Sequence, residues 1–239
     1  MRTVLITGGS RGIGAACVRA FVQAGWRVAF LYRQSQAEAE ALVMATGALA
    51  VQADVCNSSQ VDSAVARVLA DFRHIDALVN NAGQSLTRQI QDTTDEEWHR
   101  ILDANLSGAF YTARAILPGM ISRREGRIVN VSSIWGLVGG SMEVAYSAAK
   151  AGLLGFTKAL AQEMGPSGIT VNAVAPGATR TDMLNEYSDE TLRAIEHETP
   201  LGRLCEPADI ARTILWLCGE DAAMRTGQVI SPNGGRVIV

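Results

Sequence analysis

Short apolar, β-rich runs recur along this chain, separated by Ala- and Leu-rich stretches of helical length. This alternation constrains the fold more than any other feature. Residues 4–7, 28–32, 48–51, 77–80, 127–131, 169–174 and 228–230 read as seven strands, and residues 13–24, 36–46, 58–72, 95–121, 144–164 and 207–218 as helices. Several strands are nearly continuous apolar runs, as expected when both faces of a parallel sheet are covered. Strand, helix, strand repeated in this way implies right-handed crossovers. The expected fold is α/β: a Rossmann-type, doubly wound, parallel seven-stranded sheet with helices on both faces, whose ligand sits at the carboxyl ends of the strands. No linker, charge block, low-complexity tract or repeat divides the 239 residues, 48% of which are apolar. One domain spanning residues 1–239 is expected.

The formal net charge of -3 argues against a general nucleic-acid binder. Arg123, Arg124 and Arg127 form the only dense basic cluster, which reads either as a solvated helix end or as a docking surface for an acidic partner. The chain enters its first apolar run at Val4, which leaves no room for a leader, and it has no apolar stretch of about 20 residues. A cytoplasmic protein is expected. Cys17, Cys56, Cys205 and Cys218 show neither a C-x-x-C spacing nor a metal-ligand spacing with His74, His99 or His197. They read as reduced thiols, with no metal expected.

Immediately after the first strand comes Thr7-Gly8-Gly9-Ser10-Arg11-Gly12-Ile13-Gly14, opening a helix. Glycines permit a tight turn and close approach of a pyrophosphate, while the helix N-terminus supplies unpaired N–H groups and positive dipole. The spacing is G-x-x-x-G-x-G rather than G-x-G-x-x-G, and such a turn alone is often only a loop. Its place between the first strand and the first helix points to phosphate binding. At the end of the second strand, where an NAD site commonly has an acid, this chain has Tyr32-Arg33, with Arg11 in the glycine turn. Two guanidiniums would attract a 2′-phosphate, each charge-assisted contact contributing about 1.5–3 kcal/mol in favourable geometry. NADP(H) is expected over NAD(H). Asp54-Val55 would bracket the adenine, and Asn80-Asn81-Ala82-Gly83 ends the fourth strand as a further polar edge, although an Asn-capped turn has the same look.

The chain holds nineteen arginines but two lysines, and Lys150 follows Tyr146 by four residues. On a helix the two side chains share one face, about 6 Å apart along the axis. An ammonium there would favour the phenolate and bring the tyrosine, near pKa ~10 when unperturbed, towards neutral pH. The same spacing is met on ordinary helix surfaces, so the pair alone does not decide.

Taken together, Thr7-Gly-Gly-Ser-Arg-Gly-Ile-Gly14, Asn80-Asn-Ala-Gly83, Asn105, Ser133, Tyr146-x-x-x-Lys150 and Pro176-Gly177 resemble the short-chain dehydrogenase/reductase family over nearly the whole chain. Arg127-Ile-Val-Asn-Val-Ser-Ser133, Gly168-Ile-Thr-Val-Asn-Ala-Val-Ala-Pro-Gly177 and Thr226-Gly-Gln-Val229 are most similar to its 3-oxoacyl-[acyl-carrier-protein] reductases. The resemblance implies an NADPH-dependent carbonyl reductase acting on a 3-oxoacyl thioester of acyl-carrier-protein or coenzyme A type; another ketone or aldehyde, or a non-catalytic NADP-binding protein, remain the alternatives. It implies Tyr146 as general acid, Ser133 as a hydrogen-bond donor to the same oxygen, Lys150 holding the nicotinamide ribose and lowering the tyrosine pKa, and Asn105 anchoring a water behind Lys150.

By the same resemblance the cofactor contacts are Gly8, Ser10, Arg11, Gly12, Ile13, Gly14, Tyr32, Arg33, Asp54, Val55, Asn81, Ala82, Gly83, Tyr146, Lys150, Pro176, Gly177, Thr179 and Thr181. Residues 183–204 would be a mobile lid, shaping the substrate cleft with residues 84–94 and 135–143. Arg124 matches a basic position that meets an acyl carrier protein, with Arg123 and Arg127 beside it, but Ser167 stands where a second arginine is usual. Arg180 replaces a usual acid, and Ser231-Pro232-Asn233-Gly234-Gly235 replaces a Val-Asp-Gly-Gly pattern. A homotetramer is implied, the helices from Asp95 and Val144 packing across one interface and the C-terminal strand across another.

Overall fold

The computed structural model describes residues 1–185 and 187–239. Seven parallel strands form one sheet: β1 (Thr3–Thr7), β2 (Arg27–Tyr32), β3 (Leu49–Gln52), β4 (Ala77–Asn80), β5 (Gly126–Val131), β6 (Ile169–Val174) and β7 (Val229–Ile230), in the order β3-β2-β1-β4-β5-β6-β7. The order reverses between β1 and β4, which pair through Val4↔Ala77, Leu5↔Leu78 and Ile6↔Val79. Crossovers that leave β1 in opposite directions open a crevice at the carboxyl ends of these strands.

Alternate side chains along each strand feed two separate cores, which is why the strands read as continuous apolar runs. Val4, Ile6, Val28, Phe30, Val79 and Val129 pack with Cys17, Val18 and Phe21 of α1 (Gly12–Gln23), Leu42 of α2 (Gln36–Thr46) and Ile210 and Ile214 of α9 (Pro207–Leu217). Leu5, Ala29, Leu31, Leu78 and Ile128 face the other way. They meet Val61, Val65 and Val68 of α3 (Ser58–Phe72), Ile116 and Met120 of α5 (Gly108–Arg123), and Leu160 and Met164 of α7 (Val144–Met164). Each fully buried Val, Leu, Ile, Phe or Met among them contributes roughly 1.5–3 kcal/mol.

Helix boundaries follow local chemistry. Asn57 accepts from the Gln60 N–H to cap α3, and Thr94 and Glu97 form a reciprocal capping box at α4 (Asp95–Leu102). The single helix expected over residues 95–121 is instead broken: Asp103–Ser107 is a turn of π-helix between α4 and α5. Two further helices, α6 (Ile134–Val138) and α8 (Asp189–Glu198), were not expected from the periodicity. The first is too short to show a period, and α8 has only Leu192 and Ile195, three residues apart, as large apolar side chains, too few to show one.

Buried polar side chains tie helices to the sheet. Asn80 of β4 lies opposite Asn130 of β5 and donates to its Oδ1 at 2.9 Å. Thr112 of α5 donates to Asn80 at 2.6 Å, and Asn130 donates to Thr157 of α7 at 2.9 Å. The ladder fixes α5 and α7 relative to the strand ends between them. Asn172 of β6 accepts from the Gln228 N–H at 3.1 Å and donates to the Arg225 carbonyl at 2.8 Å, which seats the two-residue β7.

Candidate active site

The carboxyl ends of the strands enclose a cleft of about 970 Å³. Gly8, Ser10, Arg11, Gly12, Ile13, Tyr32, Arg33, Asp54, Val55, Asn81, Ala82 and Gly83 line it, as do Ser133, Tyr146, Lys150, Pro176, Gly177, Thr179 and Thr181. Gly14 and Asn105 stand behind that lining.

In the glycine turn, Gly8 and Gly12 take left-handed φ values of 62° and 53°, where a side chain is strained. Gly14 is needed for a different reason. A Cβ there would lie 2.1 Å from the Gly8 carbonyl oxygen, so this glycine lets α1 pack on the turn. Thr7 Oγ1 accepts from the N–H groups of Asn81 and Ala82 at 3.0 and 2.9 Å, while Asn81 Nδ2 donates to the Thr7 and Gly8 carbonyls at 3.0 and 3.1 Å. The Asn81 side chain therefore braces the turn from beneath. Arg11 occupies the N-cap of α1 without a side-chain capping bond, leaving the helix's first N–H groups to whatever enters the cleft. Arg33 lies 3.7 Å from Asp54 and Arg11 3.4 Å from Asp182, both arginines well exposed.

At the other end, α7 presents Ala145, Tyr146, Ala149, Lys150 and Leu153 on one buried stripe. The Ser133 hydroxyl is near enough to Tyr146 to pull the phenol's pKa down, and Ser133 Oγ accepts from the Trp135 N–H at 3.2 Å as it caps α6. Lys150 Nζ donates to the Val131 carbonyl at 2.8 Å and stands 5.6 Å from the centroid of the Tyr146 ring. Ser132 donates to the Lys150 carbonyl at 2.9 Å, a tie between β5 and α7 that no motif in the sequence signals. Only a glycine fits at 136, where a Cβ would meet Ser132 Oγ at 2.7 Å and the Lys150 carbonyl carbon at 2.8 Å.

Asn105 sits in the π turn, its Nδ2 donating to the carbonyls of Ile101 and Gln84 at 2.9 and 2.8 Å and its Oδ1 accepting from the Gln84 N–H at 3.3 Å. The widened turn gives the Asn105 side chain the Ile101 carbonyl that an α-helical backbone N–H would take. A Cβ on Gly83 would lie 2.4 Å from Asn105 Oδ1 and 3.3 Å from Lys150 Nζ, so both atoms converge over that glycine.

Residues 8–236 match the family described as enoyl-(acyl carrier protein) reductase. An acetoacetyl-CoA reductase of Shinella zoogloeoides is 43% identical, the alignment covering 100% of this chain and 99% of that protein. A second acetoacetyl-CoA reductase, of Rhizobium meliloti (strain 1021), is 43% identical over 98% of each chain. A 3-oxoacyl-[acyl-carrier-protein] reductase of Synechocystis sp. is 40% identical, covering 99% of this chain and 97% of its own length. The chain belongs to the short-chain dehydrogenase/reductase family. It is an oxidoreductase acting on the CH–OH/C=O couple.

Short-chain reductases use a nicotinamide cofactor, and the cleft suits a dinucleotide on its own terms. The glycine turn and the start of α1, whose first N–H groups have no side-chain cap, lie along it, and Arg11 and Arg33 line it.

The electrostatics depart from the sequence expectation. Burial pushes the Lys150 ammonium down to about 7. Burial also pushes the Tyr146 phenol up to about 12, the Ser133 hydroxyl pulling it down and the Glu143 carboxylate raising it further. Adjacency to lysine does not lower the tyrosine here, because desolvation penalises both charged forms and the ammonium is itself disfavoured.

Of the residues expected to form a lid, Met183, Leu184 and Ile195 line the cleft, as do Trp135 and Ser141; Glu186, within the same stretch, lies outside the described residues. Thr181 leans on the glycine turn, its Cγ2 3.1 Å from where a Gly12 Cβ would be, whereas Thr179 turns its hydroxyl into the Gly177 carbonyl at 2.9 Å. Arg180 pairs with Glu196 and, at 3.2 Å, with Glu206, which tethers α8 to the start of α9. Pro232 has lost a donor, yet its carbonyl accepts from the Gly177 N–H at 3.1 Å. The basic cluster lies at the amino end of β5, away from the cleft. Arg123 donates to Ile75 O at 2.7 Å, Arg124 to Pro166 O at 2.8 Å and Arg127 to Gly126 O at 2.9 Å.

Proposed function

We propose that this short-chain reductase uses NADPH to reduce the 3-oxo group of a 3-oxoacyl thioester, carried on coenzyme A or an acyl carrier protein, to the 3-hydroxyacyl product. The observation that carries the reading is the neighbouring hydroxyls of Ser133 and Tyr146 in the same cleft as the glycine turn. The names of the relatives support the substrate class. Tyr32-Arg33 and Arg11 support NADPH, since no acid ends β2 to meet a ribose hydroxyl and two guanidiniums would meet a phosphate. A bound nicotinamide supplies the hydride. Ser133 and Tyr146 hold the carbonyl oxygen, and Tyr146 gives it the phenolic proton as negative charge develops there. Lys150, donating to Val131 O behind the tyrosine, stands where it can hold the ribose and return a proton to Tyr146, with Asn105 orienting the path over Gly83.

No helix among the described residues is long and apolar enough to cross a membrane, and the reaction is assigned to the cytoplasm. Exposed Phe110 and Ile121 on α5 and Ile238 and Val239 at the C-terminus are the apolar surface that a homotetramer would cover. Docking of an acyl carrier protein by Arg123, Arg124 and Arg127 has less support, since these guanidiniums engage backbone carbonyls at the far end of β5. Oxidation of NADPH is followed spectrophotometrically with acetoacetyl thioesters of coenzyme A and of acyl carrier protein, beside unrelated ketones and aldehydes. Turnover of the thioesters well above the simple carbonyls is expected. Preference for a simple carbonyl would reject the thioester assignment, and cofactor binding without turnover of any carbonyl would reject the enzyme.

A further inference from the structure

The last residues of the chain fold back onto the end of β6 and bring one arginine into the cleft. Ser231 donates to the Ala175 carbonyl at 2.7 Å, and buried Asn233 donates to Ser231 Oγ and the Val237 carbonyl at 2.7 and 2.8 Å while accepting from the Gly235 N–H at 2.8 Å. Gly177 lets this turn approach, since a Cβ there would lie 2.9 Å from Asn233 Cα. Arg236, held by the turn, lines the cleft. Its guanidinium is 5.9 Å from the ring of Trp135, whose backbone N–H donates to Ser133.

We infer that Arg236 is a specificity-determining residue that takes an oxyanion of the substrate in exchange for the carboxylate of Glu198. The geometry is asymmetric. The Arg236 side chain is 19% exposed and braced by a turn that hydrogen-bonds around buried Asn233, whereas Glu198, 3.0 Å away, is 63% exposed at the end of α8, none of whose residues is fully buried. An exposed carboxylate of this kind is held weakly, so a substrate oxyanion can displace it at little cost. A guanidinium has five donors in a planar fork, suited to two oxygens at once, and among the described residues Glu198 is its hydrogen-bond partner. The position beside Trp135 puts this fork near the hydroxyl pair rather than at the glycine turn, on the side left for substrate.

The inference rests on the carbonyl-reductase reading of the same cleft. A carboxylate at the end of the acyl chain and a phosphate on the thioester arm share this chemistry, and three probes separate them: the acetoacetyl thioester of N-acetylcysteamine, which has neither, acetoacetyl-CoA, which has the phosphates, and the 3-oxoadipyl thioester of N-acetylcysteamine, which has the carboxylate. Arg236→Gln is expected to lower kcat/KM, through KM, about tenfold or more further on one anionic thioester than on the neutral one, and the affected probe names the source. Glu198→Gln removes the competing carboxylate and is expected to lower KM for that same probe. Equal losses on all three probes, or none, would overturn the inference. Dissociation constants for the probes are measured in parallel. Absence of turnover in the wild type would then count against the reductase reading, while the pattern of Kd values still decides the role of Arg236.

Discussion

Lys150 is rare in an arginine-rich chain, and its burial makes it behave as arginine cannot. Its folded-state pKa near 7 lies below the value of about 10.4 in an unfolded chain. Across that interval the unfolded state binds more protons, so the contribution of Lys150 to stability rises with pH from about 7 to about 10. The buried thiols of Cys17 and Cys218, both pushed up by burial, act in the opposite sense above about pH 9, because the folded state then keeps protons the unfolded state releases. Comparison with Lys150→Met cancels them. Denaturant melts should show the wild type gaining on this variant between about pH 6.5 and 9, and a difference that stays flat would mean the lysine is not desolvated. At the opposite end of the cleft, Arg33→Asp should raise KM for NADPH about tenfold or more while changing that for NADH little; equal losses for both cofactors would remove the 2′-phosphate assignment.

Elements carry information that single residues do not. The Asn80–Asn130 pair spans two central strands, linked to α5 by Thr112 and to α7 by Thr157. Asn130→Leu leaves a buried Asn80 donor without its acceptor and should cost about 1–3 kcal/mol in urea unfolding; a neutral effect would show that the ladder adjusts without it. Much of the fold was legible because strands buried on both faces and amphipathic helices have strong periods: α2, α3 and α7 begin and end where the sequence pattern puts them. The π turn at Asn105 was not legible, since α4, the turn and α5 form one helical run and only the side-chain bond to Ile101 reveals the widening. A signal for α8 was present in Ser188, which accepts from the Thr191 N–H with Asp189 and Glu190 in the first turn, but the helix is short and holds only two large apolar residues, Leu192 and Ile195. Arg236 left no trace in spacing, because its place depends on a return of the chain built by Asn233.

At the scale of the molecule, the reversal of strand order between β1 and β4 gathers the glycine turn, the polar end of β4, the Ser133 end of β5 and the Pro176-Gly177 end of β6 around one crevice. Helix α7 packs against β6 and presents Tyr146 and Lys150 to the crevice from a buried stripe. The motifs visible in the sequence are therefore ends of elements that the sheet brings together, and the tyrosine environment is a property of that assembly: local spacing suggests a lowered pKa, while burial raises it to about 12. The most direct test is Tyr146→Phe, measured for both NADPH affinity and steady-state reduction of acetoacetyl-CoA. NADPH affinity should stay within a few-fold while kcat falls by about 10²–10⁴. A variant that keeps kcat within about tenfold of the wild type would contradict the assignment of Tyr146 as the proton donor.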